Sequence, residues 1–247
     1  PRNGSHARYG QMVPLKWGLM MSNNWISAYL INQLGPSQFV SILHDFGLNN
    51  PDIDKNTTPV LSLGPCEVSV GEMVSGYTAF VNQGIRCAPL FVTKIEDSHG
   101  NVIAQFQPLM NEVISEDNSY KMIDMLRAVV DNGTGNRLRY QYNITGEVGG
   151  KTGTTNNNSD GWFIGFTPQL VSGVWVGGED RDIHFDSTSM GQGATMALPI
   201  WAYFMKLVYA DKTLGYSPGV KFNVPSSFNP CAVKDTVNMN GIDEVYE

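Results

Sequence analysis

The stretch 149–167, GGKTGTTNNNSDGWFIGFT, sets one lysine and three threonines in a segment otherwise shaped like a strand. Gly149, Gly150 and Gly153 remove side chains, so that another backbone or a ligand can come close. An edge strand with open N–H and C=O groups accepts an extended peptide as an added strand. Lys151 supplies a cation there, and Thr152, Thr154 and Thr155 supply hydroxyls. Together they make a seat for a carboxylate lying against a peptide backbone. A solvated edge lysine among strand-favouring threonines has the same local composition. A second group of polar residues lies far upstream: Ser22-Asn23-Asn24, between two helical segments. Asn23 or Asn24 there reads as the N-cap of the second helix. A functional reading adds that Ser22 and Asn24 project from the helix junction into a cleft.

The elements that must carry these residues follow from periodicity. Leu15, Leu19 and Met20 recur at helical spacing, and Trp25 to Leu34 follows with Ile26, Tyr29, Leu30 and Leu34 as its apolar face. Gly35 stops it. Pro36 opens a helix over Phe39, Val40, Leu43 and Phe46 that ends at Gly47, and 49–68 reads as loop. Ser69 and Glu72 have capping-box spacing, which starts a helix running to about Gln83. Residues 90–106 read as a hairpin turning at Asp97 to Asn101, and Ser115 caps a helix over Met122, Met125, Leu126 and Val129. Strands are expected at 146–155, 161–167 and 170–178, and a closing helix from Ala194 to Tyr209 over Leu198, Trp201, Met205 and Tyr209. The tail after 215, with Pro218, Pro225 and Pro230, is expected to wrap the surface. This order, helices first and then an antiparallel meander with a closing helix, is α+β.

Composition narrows the function. The 247 residues are 42% hydrophobic and 16% charged, an ordinary globular balance. A net charge of −7 without a dense Lys/Arg cluster argues against nucleic acid or an anionic membrane as the main partner. No apolar run reaches the roughly 18 residues that cross a bilayer. Cys66, Cys87 and Cys231 lack metal-ligand spacing, and the scattered His6, His44, His99 and His184 have no motif around them. The cysteines therefore read as small buried or half-buried side chains. The chain starts at Pro1, without methionine or signal peptide, and so reads as a piece of something longer.

Lys-Thr-Gly with an upstream Ser-x-Asn resembles two of the three elements of penicillin-binding proteins and serine β-lactamases. Longer stretches are similar to the transpeptidase domain of bifunctional (class A) penicillin-binding proteins. They are LGPCEVSVGEMVSGYTAFVNQGIRCAPLFVTKIEDSHGNVI, MIDMLRAVVDNGTGNRLR, GGKTGTTNNNSDGWFIGFTPQLVSGVWVGGEDR and GATMALPIWAYFM. They run in order from about residue 1 to 210. The resemblance implies an α+β penicillin-binding-protein transpeptidase or serine β-lactamase-like fold, an antiparallel sheet packed with a helical subdomain. The domain would cover 1–214, helical to about 144 and sheet-based from about 145, with 215–247 as a C-terminal tail.

The resemblance also implies roles. Ser22 would relay a proton to or from the leaving amine, and Asn24 would hold the amide of the substrate peptide. Lys151 would support Ser22 and the substrate's terminal carboxylate electrostatically. Among the substrate-binding residues Thr152, Gly153, Thr154 and Thr155, Gly153 would keep the strand approachable. The Thr154 hydroxyl would bind the carboxylate and its N–H would form half of an oxyanion hole. The implied reaction is D,D-transpeptidation of peptidoglycan stem peptides ending in D-Ala-D-Ala, with β-lactams as mimics of that dipeptide. No metal or organic cofactor is implied. In class A relatives a glycosyltransferase domain and a membrane anchor precede this region, which lies on the outer, periplasmic side of the cytoplasmic membrane.

The family's third element, Ser-x-x-Lys, is not found: none of the serines is followed three positions later by lysine. The expectation is that the nucleophile, its helix and the first strands precede Pro1. The chain alone would then be inactive, since covalent acyl transfer needs an activated nucleophile. A D,D-carboxypeptidase or β-lactamase-type hydrolase, and a non-catalytic module that binds cell-wall peptides or a partner, remain as alternatives.

Overall fold

The computed structural model describes Asn3 and residues 8–228. His6, Pro230 and Cys231 lie outside the described residues. The chain opens with three helices, α1 (Leu15–Met20), α2 (Asn24–Leu34) and α3 (Pro36–Asp45). A short α4 (Pro51–Lys55) and a 3-10 turn (Pro59–Leu63) follow, so the expected loop at 49–68 is partly helical. The reason is local: Pro51 and Pro59 each start a helix whose first turn needs no amide from them. Asn50 caps α4 by accepting from the Asp52 N–H at 2.9 Å.

The expected face of α2 needs correcting. Its buried residue is Ile31, while Tyr29 is 62% exposed and Leu30 and Leu34 also face outward. Ile31 joins Val40, Ile53 and Leu61 in a small satellite core, so α3 to the 3-10 turn, and not the main body, decide which side of α2 is buried.

α5 (Val70–Val81) begins with the expected capping box: the Ser69 hydroxyl accepts from the Glu72 N–H at 3.1 Å, and the Glu72 carboxylate accepts from the Ser69 N–H at 2.7 Å. Ser69→Ala should lower unfolding stability by about 1 kcal/mol, read from the urea midpoint. An unchanged midpoint would show that the cap is redundant. Short strands β1 (Ile85–Cys87) and β4 (Met110–Glu112) pair antiparallel. Between them lies the hairpin of β2 (Lys94–Glu96) and β3 (Val102–Gln105). Its turn closes at the expected place, with Asp97 Oδ1 accepting from the N–H groups of His99 and Asn101.

α6 (Glu116–Asn132), capped by Ser115, buries the expected Leu126 and Val129 together with Ile123 and Val130, while Met122 packs half-buried on the same core and Met125 is half-buried. The short α7 (Arg137–Tyr140) leads to the three-stranded antiparallel sheet, β5 (Gly149–Thr154), β6 (Asp160–Phe166) and β7 (Val171–Gly177), in the order β5-β6-β7. The short α8 (Thr188–Gly191) and the long α9 (Gly193–Ala210) close the fold. Helices cover both faces of the sheet. Phe163 meets Trp201 of α9 edge-on at 5.4 Å, in a core with Leu138, Val148, Leu198 and Met205. Phe166 belongs to the other core with Ile123, Leu126 and Val129 of α6. The alternation of strand side chains thus sends successive β6 residues into two cores.

The tail does more than wrap the surface. Phe222 is buried against Phe166 at 5.9 Å, and its N–H donates to Glu147 Oε2 at 2.8 Å. Cys66 and Cys87 are free, half-buried thiols. No described helix is long and apolar enough to cross a membrane.

Candidate functional site

α6 holds the two distant polar groups together. Leu19 of α1 packs on the α6-side core, and Lys16 meets Asp124 of α6 at 2.8 Å, a half-exposed pair that orients more than it stabilises. β5 packs on the same helix. The pairing Lys151↔Ile164 and Thr152↔Phe163 sets the faces: Lys151 lies on the α6 side, whereas Thr152 and Thr154 lie on the α9 side.

α1 ends in a Schellman turn. The Asn23 N–H donates to the Gly18 carbonyl at 2.9 Å and the Ser22 N–H to the Leu19 carbonyl at 3.1 Å. The residue between helix and exit must then be left-handed, a position usually taken by glycine. Here it is Ser22, at φ 53°. A serine in that conformation costs on the order of 1 kcal/mol, a strain of the kind stored at functional sites. Asn23, and not Asn24, caps α2, accepting from the N–H groups of Trp25 and Ile26 at 3.1 Å each. Asn24 is the first helical residue, and its N–H donates to Asn3 Oδ1 at 2.8 Å.

Ser22 and Lys151 meet although 129 residues separate them: Lys151 Nζ donates to Ser22 Oγ at 2.8 Å. A second N–H donates to the Thr152 carbonyl at 2.9 Å. The ammonium carries three N–H groups, so one remains without an acceptor among the described residues. No described carboxylate pairs with Lys151. Desolvation without a counter-charge pulls its pKa from 10.5 down to about 8, although part of the side chain still meets solvent. The pair is therefore a hydroxyl held against a lysine that can give or take a proton near neutral pH.

The threonines divide. The Thr154 hydroxyl accepts from the Gly193 N–H at 3.0 Å, at the start of α9, which leaves its own proton to donate. α9 can approach that closely because Gly193 has no side chain: a Cβ there would lie 2.3 Å from the Gly153 carbonyl oxygen and 2.4 Å from that of Trp162. The Thr155 hydroxyl turns into its own loop, accepting from the N–H groups of Ser159 at 3.1 Å and Asp160 at 3.0 Å. Of the expected site residues, then, Thr155 is held in the loop that ends the strand and is not brought to the Ser22–Lys151 pair. The Thr152 hydroxyl shares a hydrogen bond of 2.7 Å with that of Thr134. Thr134 was not singled out from the sequence. Its signal is the Gly-Thr-Gly at 133–135, directly past a long helix, which also reads as an ordinary C-cap.

A cavity of about 250 Å³ opens beside Asn23, between Tyr9, Trp17, Trp25 and Ile26. Neither Ser22, Lys151 nor the β5 threonines line it. Among the described residues no group of histidine, cysteine or acidic side chains could hold a metal ion.

The family profile described as the penicillin binding protein transpeptidase domain matches residues 2–179. Penicillin-binding protein 1A of Aquifex aeolicus is 36% identical over 208 residues, which are 84% of this chain and 27% of that protein. Penicillin-binding protein 1A of Neisseria meningitidis is 30% identical over 86% of the chain and 26% of the relative. The chain thus spans about a quarter of the length of these relatives. Among solved structures, penicillin-binding protein 1A of Haemophilus influenzae superposes with a TM-score of 0.74 at 25% identity, over 87% of this chain and 36% of that one. PonA1 of Mycobacterium tuberculosis, solved in complex with penicillin V, gives 0.70 at 21% identity over 87% of this chain and 60% of its own; it supports the fold alone.

Proposed function

Because this chain belongs to the penicillin-binding protein transpeptidase family, we propose that it supplies the Ser-x-Asn and Lys-Thr-Gly sides of a peptidoglycan D,D-transpeptidase site in the cell envelope. The observation that carries this reading is the 2.8 Å bond from Lys151 to Ser22 across 129 residues of chain.

The chemistry assigns each residue a step. A serine hydroxyl attacks the carbonyl of the penultimate D-Ala of one stem peptide, its proton passing to the lysine of the same Ser-x-x-Lys element. The Thr154 N–H, at the end of edge strand β5, donates to the oxygen on which charge develops. When the C–N bond to the terminal D-Ala breaks, the leaving amine takes a proton from Ser22 Oγ, which Lys151 replenishes. The Thr152 and Thr154 hydroxyls, on one face of β5, bind the terminal carboxylate, Lys151 supports it electrostatically from the strand edge, and Asn24 holds the peptide amide. An amine of a neighbouring stem peptide then attacks the ester, losing a proton through Ser22 to Lys151, while the departing serine oxygen takes one back from the Ser-x-x-Lys lysine, forming the cross-link and freeing the serine. A β-lactam opens on the same serine and stays attached.

The attacking serine is proposed to lie outside these 247 residues, in an upstream Ser-x-x-Lys element, with this portion on the outer side of the cytoplasmic membrane. Intact mass after incubation with excess penicillin tests this. The expected result is no adduct on these 247 residues and one adduct on a longer polypeptide carrying the upstream element. An adduct on the present chain overturns the proposed placement of the nucleophile. No adduct on either would favour a non-catalytic module that binds cell-wall peptides. Hydrolysed monomer in place of cross-linked dimer would assign the longer protein to the carboxypeptidase or β-lactamase class.

A further inference from the structure

The Ser22 turn and β5 are well over a hundred residues apart in the chain, and their relative position decides whether Lys151 reaches Ser22. One residue bonds to both. Thr134 follows α6 and lies between them. Its N–H donates to the Met20 carbonyl at 3.3 Å, two residues before Ser22. Its hydroxyl shares the 2.7 Å bond with Thr152, the neighbour of Lys151. The Met20 carbonyl is one of the last in α1, which has no partner within its own helix and needs one from outside.

The residue before Thr134 makes this approach feasible. A Cβ on Gly133 would lie 2.4 Å from the Met20 carbonyl oxygen and 2.7 Å from Met20 Cγ. A side chain at Gly133 would force α1 away. The bend past α6 is held by the Gly133 and Gly135 N–H groups, both donating to the Val129 carbonyl at 3.1 and 3.0 Å. Thr134 therefore sits in a hydrogen-bonded turn tied to the end of α6.

We propose that Thr134 is a positioning residue: its two bonds clamp the Ser22 turn to β5 and so set the separation of Ser22 from Lys151. This rests on the transpeptidase reading for its consequence, but not for its geometry. A second effect concerns Thr152. When Thr134 donates within the hydroxyl pair, the proton of Thr152 is free to point at a ligand carboxylate; without Thr134 that orientation is lost. Displacements of about 1 Å at a reacting group cost up to about a hundredfold in rate. The hydroxyl bond thus matters to the reaction even though neither threonine is a nucleophile.

The test compares Thr134→Val, which keeps the shape and removes the hydroxyl, with Thr134→Ser, which restores it. Two readouts are taken on the longer polypeptide carrying the upstream element. The first is the pH profile of penicillin acylation. The second is the titration of Lys151 itself, from competitive labelling with acetic anhydride and peptide mass spectrometry, which needs no activity. Thr134→Val is expected to slow acylation at least about tenfold. It should also move the Lys151 titration from about 8 toward 10.5, as the loosened strand lets water reach the ammonium. Thr134→Ser should return both. The proposal is overturned if Thr134→Val leaves the Lys151 titration and the acylation rate as they were, whatever happens to the melting temperature. It is overturned equally if serine restores neither. If the valine variant does not fold, Thr152→Val breaks the same bond from the strand side, and the Lys151 titration is read there. A wild-type protein that takes no penicillin would defeat the transpeptidase reading, while the labelling result would still decide the role of Thr134.

Discussion

Lys151→Met should slow penicillin acylation of the longer polypeptide by at least about a hundredfold and, at the same time, raise the stability of the fold. The rate loss follows from removing the cation beside Ser22, where a lost electrostatic partner costs on the order of 10²–10³ in rate. The stability gain follows from the depressed pKa. Folding takes an ammonium out of water without a carboxylate to pair it, so below pH 8 the folded state carries the full penalty. Above pH 10.5 the lysine is neutral in both states and the penalty is gone. Wild-type stability should therefore rise between about pH 8 and 10.5, while Lys151→Met stays flat in comparison. At pH 7 the difference is roughly 1–3 kcal/mol, the upper figure discounted because part of the side chain meets solvent. Cys66, raised by burial, and Tyr77, pushed up to about 12 by burial, act in the opposite sense in both proteins, so the difference between wild type and variant carries the sign. Urea unfolding at pH 7, 8, 9 and 10 checks the sign. A methionine variant that is less stable at pH 7, or that is acylated normally, would remove Lys151 from the role assigned to it.

Ser22 gives the second large effect. Ser22→Ala and Ser22→Gly both remove the hydroxyl that Lys151 holds, and both should cut acylation by about a hundredfold or more. Their stabilities should differ. At φ 53° the alanine Cβ is strained and glycine is not, so Ser22→Gly should be about 1 kcal/mol more stable than Ser22→Ala. The wild type should fall below the glycine variant as well, because a serine Cβ is strained at this φ and glycine is not. Equal stability of the two variants would mean that the turn relaxes to a right-handed conformation. Normal acylation by Ser22→Ala would falsify the proton relay outright.

Several elements could be read from sequence because their cause is local. The capping box at Ser69 and Glu72, the Asp97 turn, the Ser115 cap and the strand meander all depend on residues within a few positions of each other. The lysine and its threonines, and Ser22 with Asn24, were likewise visible as residue types at telling spacing. What was not visible is which side of each element faces what. The α2 face went to Ile31 because a satellite core lies there, and Phe222 entered the core from a tail that looked like surface wrapping.

The sequence by itself determined the family, the order of the elements and the residue types offered for a candidate site, since these rest on composition, periodicity and matching stretches. Only the tertiary structure decided that Lys151 donates to Ser22, that Thr155 turns into its own loop, and that Thr134 bonds to both the Met20 carbonyl and Thr152. Those facts depend on α6 holding α1 and β5 together. The resemblance to Ser-x-Asn and Lys-Thr-Gly implied that Lys151 supports Ser22, but the direct bond between residues 129 positions apart depends on packing that neither stretch encodes locally.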